Sequence, residues 1–261
     1  MLARTARSRV KRVLARTARS RVRSLRVCTE SRMSERPYTL LSCSVSLDGY
    51  LGDHTPRLAL SNEADFDRVD EVRASCDAIM VGAVTVRTDN PRLLVRSDAR
   101  REERTARGLP SSPKKITVTN RVDLDARSNF FTAGEAEKLV YTPSPRVADA
   151  RARLGRAATI VDGGRRVCMR RLTEDLGDRG VERLLVEGGG IVHTQFLADD
   201  LVDELQLVVA PFFVGDSKAP RFVSDGRFPW NAERRARLAE VRQIGDVVLL
   251  RYALSLRFRE D

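Results

Sequence analysis

Three stretches of this chain carry side chains whose types and spacing suit chemistry on a bound ligand. Arg183 to Leu197 reads RLLVEGGGIVHTQFL: an apolar run ends in Glu187, three glycines follow, and a helix opens. Backbone N–H groups at such a helix start, with no Cβ in the way, can approach a pyrophosphate. The spacing is not the usual dinucleotide fingerprint. With Gly188 and Gly190 as its first two glycines, the third would fall on His193. A plain strand-to-helix turn needs one glycine, so three together favour a ligand. A branched side chain at Gly189 is therefore expected to abolish ligand binding while costing the fold little beyond an ordinary backbone penalty. The second stretch, Val81 to Arg96, reads VGAVTVRTDNPRLLVR. Thr85 and Asp89 lie four apart, on one face of a short helix. Beyond Pro91, Arg92 and Arg96 carry guanidinium groups suited to bidentate phosphate contacts, although loop arginines are usually solvated. The third stretch, Ser44 to Tyr50, reads SVSLDGY, and its Asp-Gly pair marks a turn whose default is solvation.

Other chemistries lack their parts. The chain has no H-E-x-x-H, no G-x-x-x-x-G-K-[ST], no G-x-S-x-G and no zinc-deaminase signature. His54 falls in a loop and His193 on a helix; both read as incidental, and no metal site is expected. Asp65, Asp67 and Asp70 alternate with Arg68 and Arg73, the pattern of a solvated helix face.

Strands and helices alternate around these stretches. Strands are expected at 38–46, 78–81, 115–119, 138–141, 159–161, 183–186, 204–211 and 247–256. Helices are expected at 62–75, capped by Ser61 or Asn62, then after Gly82, at 167–176, and from the glycines to about Ala198. Residues 98–113, charged and ending in Pro and Ser, read as a surface loop. The order predicts an α/β fold: a central, mostly parallel sheet flanked by helices, with antiparallel pairing at its C-terminal edge. No linker interrupts Met33 to Asp261, so one domain is expected there.

The 261 residues are 32% charged and 42% hydrophobic, with a net charge of +11. That charge is local. Residues 1–32 hold eleven of the 47 Lys and Arg and one of the 36 Asp and Glu, which leaves 36 basic and 35 acidic residues in the remainder. The globular part is thus no general polyanion trap. The first 32 residues repeat LARTARSRV at 2–10 and 14–22, and their arginines and few large apolar side chains predict disorder. Three readings stand for this segment: a nucleic-acid-binding arm, an organelle transit peptide, or a translated upstream extension with Met33 as the working start, which is the one favoured. No apolar run approaches the roughly 18 residues of a spanning helix, so no membrane association is expected. Four scattered cysteines without a C-x-x-C pair fit a reducing compartment, and a cytoplasmic location is expected.

Together, the S-L-D-G turn, the V-G-x-x-T-x-x-x-D-N-P-R-L-x-V-R run, the L-L-V-E-G-G-G run and V-D-E-L-x-L-x-x-A-P-x-x-x-G resemble, in this order, the reductase domain of the bacterial riboflavin-biosynthesis deaminase-reductases. The resemblance spans about residues 37–258. It implies a dihydrofolate-reductase-like fold, a homodimer, and NADPH-dependent reduction of 5-amino-6-(5-phosphoribosylamino)uracil, whose ribosyl chain becomes ribityl. Carried over residue by residue, it places Thr85, Asp89, Asn120 and the stretch Gly189, Gly190, Ile191, Val192, His193, Thr194 and Gln195 at the cofactor, with Ser44 near the nicotinamide end. It places Arg73, Leu93, Arg96 and Glu187 at the substrate. Arg96 suits a 5′-phosphate and Glu187 suits ribose hydroxyls. No catalytic residue is assigned, since the cofactor brings the hydride and the protein aligns it. NADPH is expected over NADH because Asn120 and Arg121 follow a strand where a 2′-phosphate could dock.

The chain departs from the family pattern in three ways. The deaminase half is missing, the lysine six residues before the turn aspartate is Ser42, and a Ser-x-Trp segment is replaced by Pro56-Arg57-Leu58. These changes leave an alternative open. VEGGGIVHTQFL is also similar to the glycine motif of true dihydrofolate reductases, in which Asp65 or Asp67 would hold a pterin. A nucleic-acid-binding protein built on the basic arm is the third reading, and the near-neutral remainder argues against it.

Overall fold

The computed structural model describes residues 35–53 and 58–260, all within the unit Ser34–Asp261. The basic segment 1–32, Met33, His54 and the Pro56-Arg57 pair lie outside the described residues. The elements run β1 (Tyr38–Ser46), α1 (Glu63–Ala74), β2 (Ala78–Gly82), α2 (Ala83–Asp89), α3 (Asp98–Ala106), β3 (Lys114–Val118), α4 (Asn129–Thr132), β4 (Lys138–Thr142), α5 (Val147–Leu154), β5 (Thr159–Asp162), α6 (Met169–Asp178), β6 (Arg183–Gly188), α7 (Gly190–Ala198), β7 (Glu204–Ala210), β8 (Arg237–Ile244) and β9 (Val247–Ala253).

The strands form one nine-stranded sheet in the order β5-β4-β3-β2-β6-β1-β7-β9-β8. Pairing is parallel from β5 to β7 and antiparallel from β7 through β9 to β8. This is the expected fold. Strands covered on both faces must be apolar on both, and β2 (AIMVG) is buried at every position. One core layer joins Leu41, Met80, Ile116 and Val186 to Leu172 and Leu176 of α6 and Val192 and Phe196 of α7. The opposite layer joins Leu40, Ile79, Val81 and Leu185 to Val72 of α1, Val86 of α2 and Leu154 of α5. Alternation along β1 therefore sends Leu40, Ser42 and Ser44 toward the α1 side.

Two expectations fail. Residues 98–106 are not loop but α3, with Ser97 as its cap accepting from the N–H of Arg100 at 3.4 Å. Its sequence, DARREERTA, offers no apolar stripe, but it is rich in helix formers. The residue it buries is Arg104, which donates to the carbonyls of Ala74, Cys76 and Pro110. Nor is the polar pattern of α1 a solvated face. Asp65, Arg68 and Asp70 are buried, each with charged or amide partners. β8 and α5 were not foreseen, since β8 is exposed along much of its length and α5 carries only Ala150 and Leu154 inward.

Candidate active site

The strand order reverses around β1, β6 and β2, and in open α/β sheets ligands settle in the crevice at such a point, beyond the carboxyl ends of the strands. Two helices open side by side there. α2 starts from Gly82 and α7 from Gly189, and neither start has a capping side chain. The first-turn N–H groups of α7 thus lack the usual side-chain acceptor. Ile191, in the first turn of α7, is 62% exposed, while Arg221 O lies against Gly190 beside it. Donors without a cap and a backbone free of Cβ are what a pyrophosphate requires, so the residues here fit a dinucleotide.

Protein packing, however, already uses two of the three glycines. A Cβ on Gly188 would stand 3.5 Å from Thr85 Oγ1, and one on Gly189 would stand 3.3 Å from the same atom. Gly189 also holds φ +90, a conformation that L side chains rarely adopt. A Cβ on Gly190 would run into the carbonyl oxygen of Arg221. The expectation that the turn needs one glycine is therefore corrected: two are needed, Gly189 for its backbone conformation and Gly190 for the strap that crosses it, while a Cβ on Gly188 would make only an ordinary contact.

The strap comes from the segment after β7. Leu51 N–H donates to Pro220 O at 2.7 Å, and Phe222 N–H donates to Gly49 O at 3.0 Å. Arg221 lies over the Tyr50 ring and donates to its hydroxyl at 3.0 Å. Asp48 is not a solvated turn residue. It accepts from Ser46 Oγ and from the N–H groups of Val214 and Gly215. Against the desolvation it suffers, these hydrogen bonds lower its carboxyl to about 2. On the far side, Ser224 N–H donates to Thr194 Oγ1 at 2.8 Å, and Thr194 Oγ1 donates to Gly190 O at 2.6 Å.

The expected cofactor residues divide. Gly189, Gly190, Ile191 and Thr85 gather at the two helix starts. Gln195 is exposed further along α7, and Asp89 is exposed at the end of α2, accepting from Thr88 Oγ1. Val192 and His193 are buried, and their side chains face the interior. Only their backbone could meet a ligand, which corrects the expectation for those side chains. Burial pushes the His193 imidazole down to about 4, against the opposing contact with Phe222. Asn120 is exposed in a turn that Thr119 Oγ1 closes by accepting from the N–H groups of Arg121 and Val122. Ser44 is partly buried, in register with Val208.

The expected substrate residues divide as well. Arg73 and Glu187 pair with each other in a bidentate contact of 2.6 and 2.7 Å, across α1 and the end of β6. Burial works against the Arg73 charge, but the Glu187 carboxylate outweighs it and raises the guanidinium pKa. Leu93 has φ +50 and a side chain in the core, so it could offer a ligand only its backbone. Arg96 lies along α1, donating to Phe66 O at 2.8 Å and standing 3.8 Å from Asp70. With Glu63, Phe66, Asp67, Asp70 and Ser97 it lines an open cavity of about 330 Å³. Its side chain is 59% exposed but shares that cavity with three carboxylates, a poorer phosphate seat than the sequence suggested.

Residues that sequence reasoning missed border Ser42. Ser42 is in register with Gln206, whose Oε1 accepts from Arg68 Nη1 at 2.5 Å. Arg68 Nε donates to Asp65 at 2.6 Å, and Gln206 Nε2 donates to Glu204 at 2.8 Å. Glu204 also accepts from Tyr38 Oη and Arg251 Nε. Asp65 and Glu204 are wholly buried. The one signal in the sequence was the acidic and amide residues of β7 at alternate, inward positions.

The RibD C-terminal domain family matches residues 37–250. A protein of Archaeoglobus fulgidus named 2,5-diamino-6-ribosylamino-4(3H)-pyrimidinone 5′-phosphate reductase is 35% identical over 228 residues, covering 85% of this chain and 99% of that protein. A protein of the same name in Methanothermobacter thermautotrophicus is 38% identical over 192 residues, covering 73% and 85%. Among solved structures, a pyrimidine reductase-like protein of Corynebacterium diphtheriae superposes with a TM-score of 0.71 at 20% identity, covering 83% of this chain and 91% of that one. That likeness bears on the fold alone.

Proposed function

The chain belongs to the RibD C-terminal domain family, and from that membership we propose that it is an NADPH-dependent reductase of riboflavin biosynthesis, reducing the ribosyl chain of a phosphorylated ribosylaminopyrimidine. It is an oxidoreductase of the pyrimidinone-phosphate reductase type that uses a nicotinamide cofactor. The observation that carries the reading is the uncapped, glycine-lined start of α7 at the point where the strand order reverses.

Bound there, the cofactor supplies the hydride. The chain's residues supply placement. The N–H groups of the first turn of α7 hold the pyrophosphate, and Thr85 stands against the glycines that bring the two helices together. Asn120 and Arg121, both exposed, take the adenosine side and its 2′-phosphate. Ser42 and Ser44 share the sheet face of Glu187, and these three offer donors and acceptors to ribosyl hydroxyls and the base. Arg73 fixes the Glu187 carboxylate in one orientation. Arg96 turns from Phe66 O toward the 5′-phosphate.

The pterin alternative loses its carboxylate. Asp65 is spent on Arg68 and Ser61, and Asp67 pairs with Arg100 in two contacts of 2.6 and 2.9 Å. The implied homodimer has a surface to form on. Leu207 and Val209 of β7, Val248 and Leu250 of β9, and Leu238 and Val241 of β8 share one sheet face by register, and Leu238, Val241 and Val248 are exposed. Three strands of about seven residues give a footprint of roughly 300–350 Å² before corrugation. A standard interface buries roughly 800 Å² per partner, so this face would form the apolar centre of a larger contact, and twofold pairing of it on a second copy needs no charge complement. Among the described residues no helix is long and apolar enough to cross a membrane. Cytoplasmic residence is proposed from the unbridged thiols of Cys43 and Cys76.

Oxidation of NADPH, followed separately with the diaminopyrimidinone ribosyl phosphate, its uracil counterpart and dihydrofolate, tests the reading. Turnover of a ribosylaminopyrimidine phosphate is expected. Turnover of dihydrofolate alone, or tighter binding of NADH than of NADPH, would overturn it.

A further inference from the structure

The strap and His193 have no part in hydride chemistry, yet they join the two halves of the site. Phe222 is the meeting point. Its N–H donates to Gly49 O, in the turn that follows β1, at 3.0 Å. Its carbonyl lies 3.2 Å from His193 Nδ1, on the inner side of α7. A carbonyl can only accept, so Nδ1 carries the proton and Nε2 does not. Nε2 is buried and has no hydrogen-bond partner among the described residues, so this imidazole is held for the single bond its other nitrogen makes. The rings of His193 and Phe222 also pack, with centroids 5.5 Å apart. A leucine would fill this interior position without leaving a lone pair buried; what histidine adds is the N–H.

We propose that His193 is a positioning residue: by holding Phe222 O it fastens the strap 220–224 across the first turn of α7, and so fixes the Asp48–Tyr50 turn relative to the helix start that receives the cofactor. Two further contacts belong to the same clasp. Ser224 N–H is bound by Thr194 Oγ1, and Arg221 O lies against Gly190 where no side chain could stand. The other end of the strap segment is held by Asp48, through Val214 and Gly215. Because one residue is bound through both its N–H and its carbonyl, loosening either side alters the spacing between turn and helix. The role in cofactor binding rests on the reading of α7 given above; the fastening of the strap does not.

His193→Leu keeps the volume and removes the donor, while His193→Asn keeps an N–H at the reach of Nδ1. In His193→Leu the KM for NADPH is expected to rise roughly three- to tenfold, the loss of one hydrogen bond, with a smaller change in kcat. In the absence of cofactor, the Phe222 and Ser224 amides should exchange faster. His193→Asn should bring both back to within about twofold of the parent, which general loss of packing would not allow. Should the leucine variant fold poorly, Thr194→Val, which removes the acceptor for Ser224 together with the donor to Gly190 O, should move the same two readouts in the same direction. A folded His193→Leu protein with unchanged exchange at Phe222 and Ser224, or an asparagine variant no better than leucine, would overturn the proposal. If the parent itself binds no NADPH while exchange still responds, the clasp stands and the cofactor reading fails.

Discussion

Replacing Gly189 by alanine separates what the fold asks of this glycine from what the cofactor asks. The backbone there has φ +90 and ψ 118, outside the small left-handed well that an L residue can occupy. Holding a side-chain-bearing residue in such a region costs about 1–3 kcal/mol. The added Cβ would also stand 3.3 Å from Thr85 Oγ1 and 3.9 Å from Gly82 Cα, a tight contact from which the hydroxyl can rotate away. The backbone penalty should therefore dominate. For a chain of this size each kcal/mol lowers Tm by about 2–4 °C, so the protein without cofactor should melt about 2–12 °C earlier. Calorimetry and NADPH titration on one preparation give both quantities. Combining Gly189→Ala with Thr85→Ala removes the contact and leaves the backbone strain, so the double variant should recover little. An unchanged Tm in Gly189→Ala would refute the assignment of strain to this residue. Near-complete recovery in the double variant would show that crowding, not φ, makes glycine necessary.

Arg96→Ala should raise KM for the phosphorylated pyrimidine roughly tenfold, the value of a charge-assisted contact of about 1.5–3 kcal/mol, and leave NADPH affinity unchanged; steady-state kinetics that show no change would remove Arg96 from the site. His193 has a native pKa of about 4 against 6.5 in the unfolded chain, so on acidification between those values the unfolded chain takes up a proton that the native one refuses, and stability falls. The loss is on the order of 3 kcal/mol, and denaturant melts of His193→Asn should show a flatter slope in that window. Val241→Glu, on the open face of the sheet and 59% exposed in one chain, should convert dimer to monomer in sedimentation equilibrium without lowering Tm of the isolated chain; a parent that is monomeric at tens of micromolar would refute the interface. A chain begun at Met33 should keep its melting temperature and turnover, which a side-by-side comparison checks.

The sheet was legible where both faces of a strand are covered. Ala78–Val81 and Leu184–Val186 could be recognised from residue type alone because parallel strands between helices leave no polar position. The glycines after β6 were legible as a special place, but the reason for their number was not. Thr85 and Arg221, the atoms they make room for, lie roughly 100 residues before and 30 after them. α3 and the inward side of α1 were misread for one shared reason. Arg104 and Arg68 are buried polar residues, and their distant partners, carbonyls of another segment or an amide on β7, give no mark in the local sequence. The Arg73–Glu187 pair shows the limit for the site itself. Both residue types could be picked out as ligand contacts, but only the fold reveals that each has the other as its partner.

The placement of β6 between β1 and β2 has a consequence for how the molecule comes into being. The first two strands of the chain are never neighbours, and the strand that separates them is made roughly 100 residues after β2. At 5–20 residues per second, roughly 5–20 s of synthesis leave β1 and β2 each with an unsatisfied edge. Pairing of these two edges with one another would be a trap, since β6 would then have to displace an existing ladder. The helix starts at Gly82 and Gly189 come together only when β6 is inserted, so an N-terminal fragment can hold neither half of the ligand crevice in working form. Expression at lowered temperature or with excess chaperone should therefore change the yield of native protein more than any substitution at the site does.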